Sequence, residues 1–262
     1  MCKKYELLKS ECEEDDVPWN AQNSTFALSL AVQFAVLVFS LVTIGIGDSP
    51  PEVLVTILWM ETIVQLIEFI WYLGIGILFV WGKEIIGRPC EFGIAYRYAD
   101  WFLTTPTMLL TLYFLLHYFA TPCLTNQQLT EKPNFIGFVI LIILLDWAML
   151  AVGFIYEKEW FGWAQMTYKR LPMLLGFVFL FCAFIPHYYT LGETPSDEGI
   201  ALLVVTLVLW TLYGVVSMIW VGRTGLMNKN SFYNILDLLS KNALGIVVSI
   251  LTLSFSSTHG AC

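Results

Sequence analysis

Seven stretches of this chain are each about twenty residues or longer and almost wholly apolar, at roughly 25–47, 53–81, 95–119, 134–156, 170–189, 199–221 and 231–254. A helix crossing the ~30 Å hydrocarbon core of a bilayer needs ~20 such residues. Lipid offers no hydrogen-bond partners, so a spanning segment must pair its backbone groups internally, as a helix does. Strand-type alternation is weak throughout, which argues against a β-barrel. The expectation is an all-α membrane protein built as a seven-transmembrane-helix bundle.

Composition narrows the class further. Charged residues make up only 13% of the chain, about half of the ~25% found in soluble domains. The formal net charge of −8 argues against a nucleic-acid binder, which needs a basic surface. The 58% hydrophobic content argues against a disordered chain. Six cysteines in 262 residues are too sparse for a secreted disulfide scaffold. No metal site and no enzymatic activity are expected.

The punctuation between spans is clear. Gly47-Asp48-Ser49-Pro50-Pro51 reads as a tight turn, Thr121 to Pro133 as a polar loop, and Gly192 to Asp197 as another. Residues 1–24 form a polar, acidic tail without the apolar core of a signal peptide. Residues 25–255 then form the membrane domain, and 256–262 a short C-terminal tail. Cys2, Cys12 and Cys90 fall on the N-terminal side, where Cys2 or Cys12 could bridge subunits; Cys123, Cys182 and Cys262 read as free thiols.

Orientation is contested by two signals. The loops at 48–52, 120–133 and 190–198 hold one basic residue, Lys132. The opposite side holds Lys83, Arg88, Lys158, Lys169, Arg170, Arg223 and Lys229, besides Lys3, Lys4 and Lys9. The positive-inside rule would place the N-terminus in the cytoplasm. Asn23-Ser24-Thr25 is a glycosylation sequon and points the other way.

Charges inside the spans are the most informative residues. A carboxylate at mid-bilayer costs ~2.5–3.5 kcal/mol even on the mildest scale. Glu61, Glu68, Asp100, Asp146 and Asp237 all fall within spans, as do Lys241 and Arg97. Asp237 and Lys241 are four residues apart, so they share a helix face. Lys241 is either a structural ion-pair partner or a nucleophilic amine that forms a Schiff base with an aldehyde. A protonated Schiff base in a low-dielectric site needs a counterion, and Asp100 and Asp237 are the candidates.

Two segments carry a family resemblance. The third span reads Arg97-Tyr98-Ala99-Asp100-Trp101-Phe102-Leu103-Thr104-Thr105-Pro106, and the seventh reads Leu236-Asp237-Leu238-Leu239-Ser240-Lys241. Asp146, Met149 and Gly153 in the fourth span, with Trp210 and Tyr213 in the sixth, extend the pattern. The chain resembles the microbial (type 1) rhodopsins from about residue 25 onward. Its Tyr233-to-Asp237 and Ser240-Lys241-Asn242 segments look closest to the rhodopsins of algal giant viruses and marine channelrhodopsins.

The resemblance implies all-trans retinal bound covalently to Lys241 as a protonated Schiff base. It implies Asp100 and Asp237 as counterions, with Arg97 tying the charge cluster together. Trp101 and Trp210 would sandwich the polyene, while Thr105, Met149, Gly153 and Tyr213 complete the pocket. Asp146 and Thr105 would form a hydrogen-bonded pair between the fourth and third spans. The family keeps its N-terminus outside, in agreement with Asn23 and against the lysine count.

What the protein does with light is read from departures. The acceptor position holds Asp100, followed one turn later by Thr104, but the donor position eleven residues on holds Thr111, which cannot reprotonate a Schiff base. The loop before the seventh span offers Asn228, Lys229 and Asn230 in place of release carboxylates. In the second span, Glu61, Gln65, Glu68 and Tyr72 follow spacings of 4, 3 and 4 and fall on one helical stripe. Such a row can hold water and pass ions, or it can pack on another helix through hydrogen bonds. The resemblance aligns Glu68 with the central-constriction glutamate of channelrhodopsins. The expected function is a light-gated ion channel in the cell membrane, leaning to Na+, K+ and H+ because the path and the loop residues Asp48, Glu52, Glu131, Glu193, Asp197 and Glu198 are acidic. A Cl−-conducting channel is the alternative, followed by an outward proton pump and a sensory rhodopsin. Lipid and small ions are the expected partners, with self-association into a homo-oligomer and no nucleic acid.

Overall fold

The computed structural model describes residues 21–47, 50–81, 89–158, 166–193, 196–219 and 223–258. The helices are α1 (Ala21–Ile46), α2 (Glu52–Trp81), α3 (Pro89–Ala120), α4 (Asn126–Thr130), α5 (Phe135–Lys158), α6 (Met166–Glu193), α7 (Asp197–Ile219), α8 (Arg223–Asp237) and α9 (Ala243–Thr258). A five-residue π-helical turn, Leu238–Asn242, joins α8 to α9 in one continuous rod. Seven of these segments are long and apolar enough to cross a membrane, the last running from Lys229 to Phe255. The chain is an integral multi-pass membrane protein, and the described residues contain no strand.

Local chemistry sets the helix ends. Thr125 caps the short α4 through a capping box with Gln128. Ser196 accepts the Gly199 N–H at 3.1 Å and opens α7, where Asp197 and Glu198 oppose the positive end of the helix dipole. Asn134 takes a left-handed backbone (φ 66°) immediately before α5, a conformation that asparagine tolerates better than most residues.

Packing follows the polarity of each helix. Buried residues of α2, α3 and α9, among them Leu54, Ile57, Tyr113, Leu115 and Val248, form one core. A second core joins α3, α5, α6 and α7 through Leu109, Ile142, Phe184 and Trp210. A third, smaller cluster of Trp101, Leu150, Val216, Tyr233 and Leu236 lies beside the functional site. Large side chains such as Ile136, Leu144, Val178 and Val204 stay exposed, as lipid-facing residues do.

Several sequence expectations shift. Helix α1 begins at Ala21, inside the segment read as a tail, and α9 continues to Thr258. The loop after the third span contains α4. Cys123 is disulfide-bonded, which corrects its reading as a free thiol; Cys182 is free. Residues 1–20, including Cys2, Cys12 and the tail lysines, lie outside the described residues, as does Cys262. The Asn23, Cys90, Lys83, Arg88, Lys158, Lys169, Arg170, Asn228 and Arg223 side chains, and those of Glu193 and Asp48, are also outside them.

Candidate functional site

Lys241 sits inside the π turn and is almost completely buried. Its Nζ donates to Asp100 Oδ2 at 2.6 Å and lies 3.6 Å from Glu68 Oε1 and 4.0 Å from Asp237 Oδ1. A buried ammonium survives in an apolar interior only when it is paired, and here three carboxyl groups surround it. Asp100 and Asp237 were expected beside this lysine; Glu68 was expected on the stripe and joins the same cluster.

Asp237 is held from several sides. Tyr72 donates to its Oδ2 at 2.6 Å and Tyr213 to its Oδ1 at 2.7 Å, while Arg97 Nη1 stands 3.4 Å from Oδ2. Arg97 also donates to Asn234 Oδ1 at 2.5 Å and to Tyr72 Oη at 3.2 Å. One guanidinium therefore links α2, α3 and α8, which suits the planar fork of arginine. Asp100 Oδ1 has no hydrogen-bond partner.

A cavity opens from Lys241 between α3, α5, α6 and α7, with mostly apolar walls, as small-molecule sites usually have. Trp101, Thr105, Met149, Gly153, Trp210, Tyr213 and Lys241 all line it. Trp101 meets the Tyr213 and Tyr233 rings edge-on, and Phe184 braces Trp210. A Cβ built on Gly153 would lie 2.9 Å from Tyr98 Oη, so this position admits the tyrosine only because it lacks a side chain. Thr105 donates to Asp146 Oδ2 at 2.7 Å across the α3–α5 seam. The long apolar slot, with aromatic walls and one amine at its end, fits an extended polyene aldehyde such as retinal.

The α2 stripe is buried along its length: Glu61, Gln65, Glu68 and Tyr72 are all nearly inaccessible. Gln65 Nε2 donates to the Lys241 carbonyl at 3.0 Å, and Asn242 Nδ2 donates to Glu68 Oε2 at 3.2 Å. Both contacts use the π turn, whose wider hydrogen-bond spacing alters the carbonyl and side-chain directions around the lysine. Among the described residues, both carboxyl oxygens of Glu61 lack a hydrogen-bond partner, as do Gln65 Oε1, Thr111 Oγ1 and both polar atoms of Gln33. Thr104 returns its hydroxyl to the Asp100 carbonyl at 3.0 Å.

Three contributors escaped the sequence reading. Asn242 and Asn234 stand beside more conspicuous charges, although Asn234 lies three residues before Asp237 on a shared face. Glu157 falls one residue past the 134–156 span. It is buried, accepting from Lys229 at 3.1 Å and Tyr233 at 2.8 Å. Lys229, expected at a loop position, is thus a pairing residue at one end of the bundle.

A seven-helix membrane bundle with a buried lysine, paired carboxyl groups and an aromatic slot defines the class. Residues 20–255 match the bacteriorhodopsin-like protein family, and the chain belongs to it as a microbial (type 1) rhodopsin. It is 26% identical over 215 residues to bacteriorhodopsin of Halobacterium salinarum, covering 78% of this chain and 74% of that protein. Its fold is shared with the proton pumping rhodopsin AR2 from the marine alga Acetabularia acetabulum, at 19% identity and a TM-score of 0.66, covering 91% of this chain and 97% of that one. Halorhodopsin, a light-driven chloride pump, superposes with a TM-score of 0.63 at 15% identity, covering 93% of this chain and 97% of that one. Membership implies a retinal chromophore and light-driven ion transport, with lipid and small ions as partners.

Proposed function

We propose that this protein is a light-gated ion channel, favouring cations, with all-trans retinal attached to Lys241 as a protonated Schiff base. The observation that carries the reading is the buried stripe of Glu61, Gln65 and Glu68 with its unpartnered oxygens, beside Thr111. Buried polar atoms are nearly always hydrogen-bonded. A row of exceptions along one seam provides the partners that a file of water needs.

When bound, retinal supplies a light-driven change of shape at the Lys241 nitrogen. The residues of the chain convert that change into a path. Trp101 and Trp210 confine the slot, so movement is transmitted to the lysine end. Asp100, 2.6 Å from Nζ, holds the positive charge and is placed to take its proton. The Asn242–Glu68 hydrogen bond closes the stripe at the level of the lysine, and the Arg97, Tyr72 and Asn234 cluster closes its far end. Opening requires both closures to loosen. Acidic lining favours cations over anions.

The protein would lie in the cell membrane with its N-terminus outside and self-associate as a homo-oligomer. An outward proton pump is the second reading, favoured by the short Asp100–Lys241 contact. Whole-cell photocurrents at several voltages and salt compositions separate the readings. A channel current reverses, and its reversal follows the cation gradient. Reversal tracking chloride would instead assign an anion channel, single-signed current a pump, and no current a sensor. Glu68→Gln should change conductance or selectivity; unchanged current would reduce the stripe to packing.

A further inference from the structure

The position that would carry a proton donor on α3 is Thr111, whose hydroxyl cannot serve. An acid nevertheless lies beside it. Glu61 on α2 is fully buried and near enough to Thr111 and Lys241 to interact with both. It stands seven residues from Glu68 along α2, or roughly 10 Å at 1.5 Å per residue. Thr111 stands eleven residues from Asp100 along α3, roughly 16 Å by the same rise. Because α2 and α3 run in opposite directions, both displacements lead to the same end of the bundle. Glu61 therefore lies between the lysine and the end where the 48–51 and 121–134 connections emerge.

We propose that Glu61 is the internal proton donor of this site, taking the role that Thr111 cannot fill. The inference rests on the retinal reading above and assigns a residue of this chain to its return step. After light drives the Lys241 nitrogen to give its proton to Asp100, the Glu61 O–H bond breaks and an N–H bond forms on Lys241. The proton travels by way of water and Gln65. Glu61 is left as a carboxylate and regains a proton from the adjacent end of the bundle past Thr111. No electron changes hands.

The geometry supports each part. Glu61 is fully buried, neither of its oxygens has a hydrogen-bond partner among the described residues, and an unpaired carboxylate in a dry interior is costly. Gln65 bridges the distance: its Nε2 holds the Lys241 carbonyl, and its Oε1 is unpartnered. Gly245 keeps this crossing narrow, since a Cβ there would lie 3.1 Å from Gln65 Nε2. The other buried acids are otherwise engaged. Glu68 is bound by Asn242 and belongs to the charge cluster around Lys241. Asp146 is committed to Thr105 on the opposite seam.

The test uses the full chain with retinal in lipid vesicles, comparing parent, Glu61→Gln and Asp146→Asn. Infrared spectra in the dark should show a protonated-carboxyl C=O band that Glu61→Gln removes. After a flash, visible absorbance reports when the Lys241 nitrogen regains its proton. Glu61→Gln should slow that step at least tenfold, and azide, a small diffusible acid, should restore it. Glu61→Gln/Thr111→Asp should also restore it, by placing an acid at the adjacent position. A parent-like visible band certifies that each variant is folded. An unchanged rate in Glu61→Gln, an unchanged infrared band, or slowing in Asp146→Asn alone would overturn the proposal. So would a parent protein whose Lys241 nitrogen never loses its proton. Absence of any visible band in the parent would overturn the retinal reading itself, a distinct failure.

Discussion

Removing the lysine charge while keeping its length should destabilise the bundle, and removing one particular carboxylate should repair it. In Lys241→Met the ammonium disappears from among Asp100, Glu68 and Asp237, at 2.6, 3.6 and 4.0 Å. The three acids are not equally affected. Asp237 keeps Tyr72, Tyr213 and Arg97. Glu68 keeps Asn242. Asp100 loses the partner of its Oδ2, and its Oδ1 has none. Breaking one partner out of a buried ion pair costs about 3–5 kcal/mol. For domains of about this size that corresponds to an apparent Tm roughly 6–20 °C lower.

Asn at position 100 removes the stranded charge with almost no change in shape, so Lys241→Met/Asp100→Asn should recover most of the loss. The assay is thermal unfolding in detergent, on protein prepared without retinal so that chromophore loss contributes nothing. A Lys241→Met protein as stable as its parent would refute the reasoning. A double variant no more stable than Lys241→Met would locate the cost in Glu68 or Asp237 instead.

Three further outcomes are expected. Thr105→Val leaves Asp146 buried with neither oxygen partnered, costing about 1–3 kcal/mol in thermal unfolding; Thr105→Val/Asp146→Leu should regain it. Gly153→Val drives a side chain into Tyr98 Oη, so pigment yield with added retinal should fall and the visible maximum should move; an unchanged spectrum would show that the slot does not reach this glycine. Lys229→Met leaves the Glu157 carboxyl with Tyr233 but without its cation and should cost about 3 kcal/mol, with recovery in Lys229→Met/Glu157→Gln; independent, additive effects would mean the pair is not coupled.

The spans were legible because lipid imposes one rule on length and polarity, and this chain obeys it seven times. Lys241 and Asp237 were legible because charge is costly there and a four-residue spacing joins them. Asn242 was not, for a geometric reason. One residue past the lysine, an ideal helix would turn it about 100° away. The π turn alters the local spacing, and Asn242 meets Glu68 on α2 while Gln65 reaches the Lys241 carbonyl. Nothing in the residue types announces a π turn. Glu157 was obscured differently. The fourth span read from hydropathy stops at residue 156, one short of Glu157, whereas Lys229 and Tyr233 reach from α8 to cover that carboxylate.

The buried acids divide by what faces them, and the division bears on how the site works. Asp100, Asp237 and Glu157 each face a cation within 4 Å. Moving any of them exposes an unpaired charge in a dry interior, so they hold the resting arrangement in place. Among the described residues, Glu61 and Asp146 have no such cation, and each retains an unpartnered oxygen. An acid of this kind can exchange a proton or admit water without first breaking an ion pair. Glu68 belongs to both groups, 3.6 Å from Lys241 through one oxygen and bonded to Asn242 through the other. A shift of the lysine nitrogen away from Glu68 would therefore move it from the first group to the second. In that position Glu68 can join the charge cluster to the polar stripe.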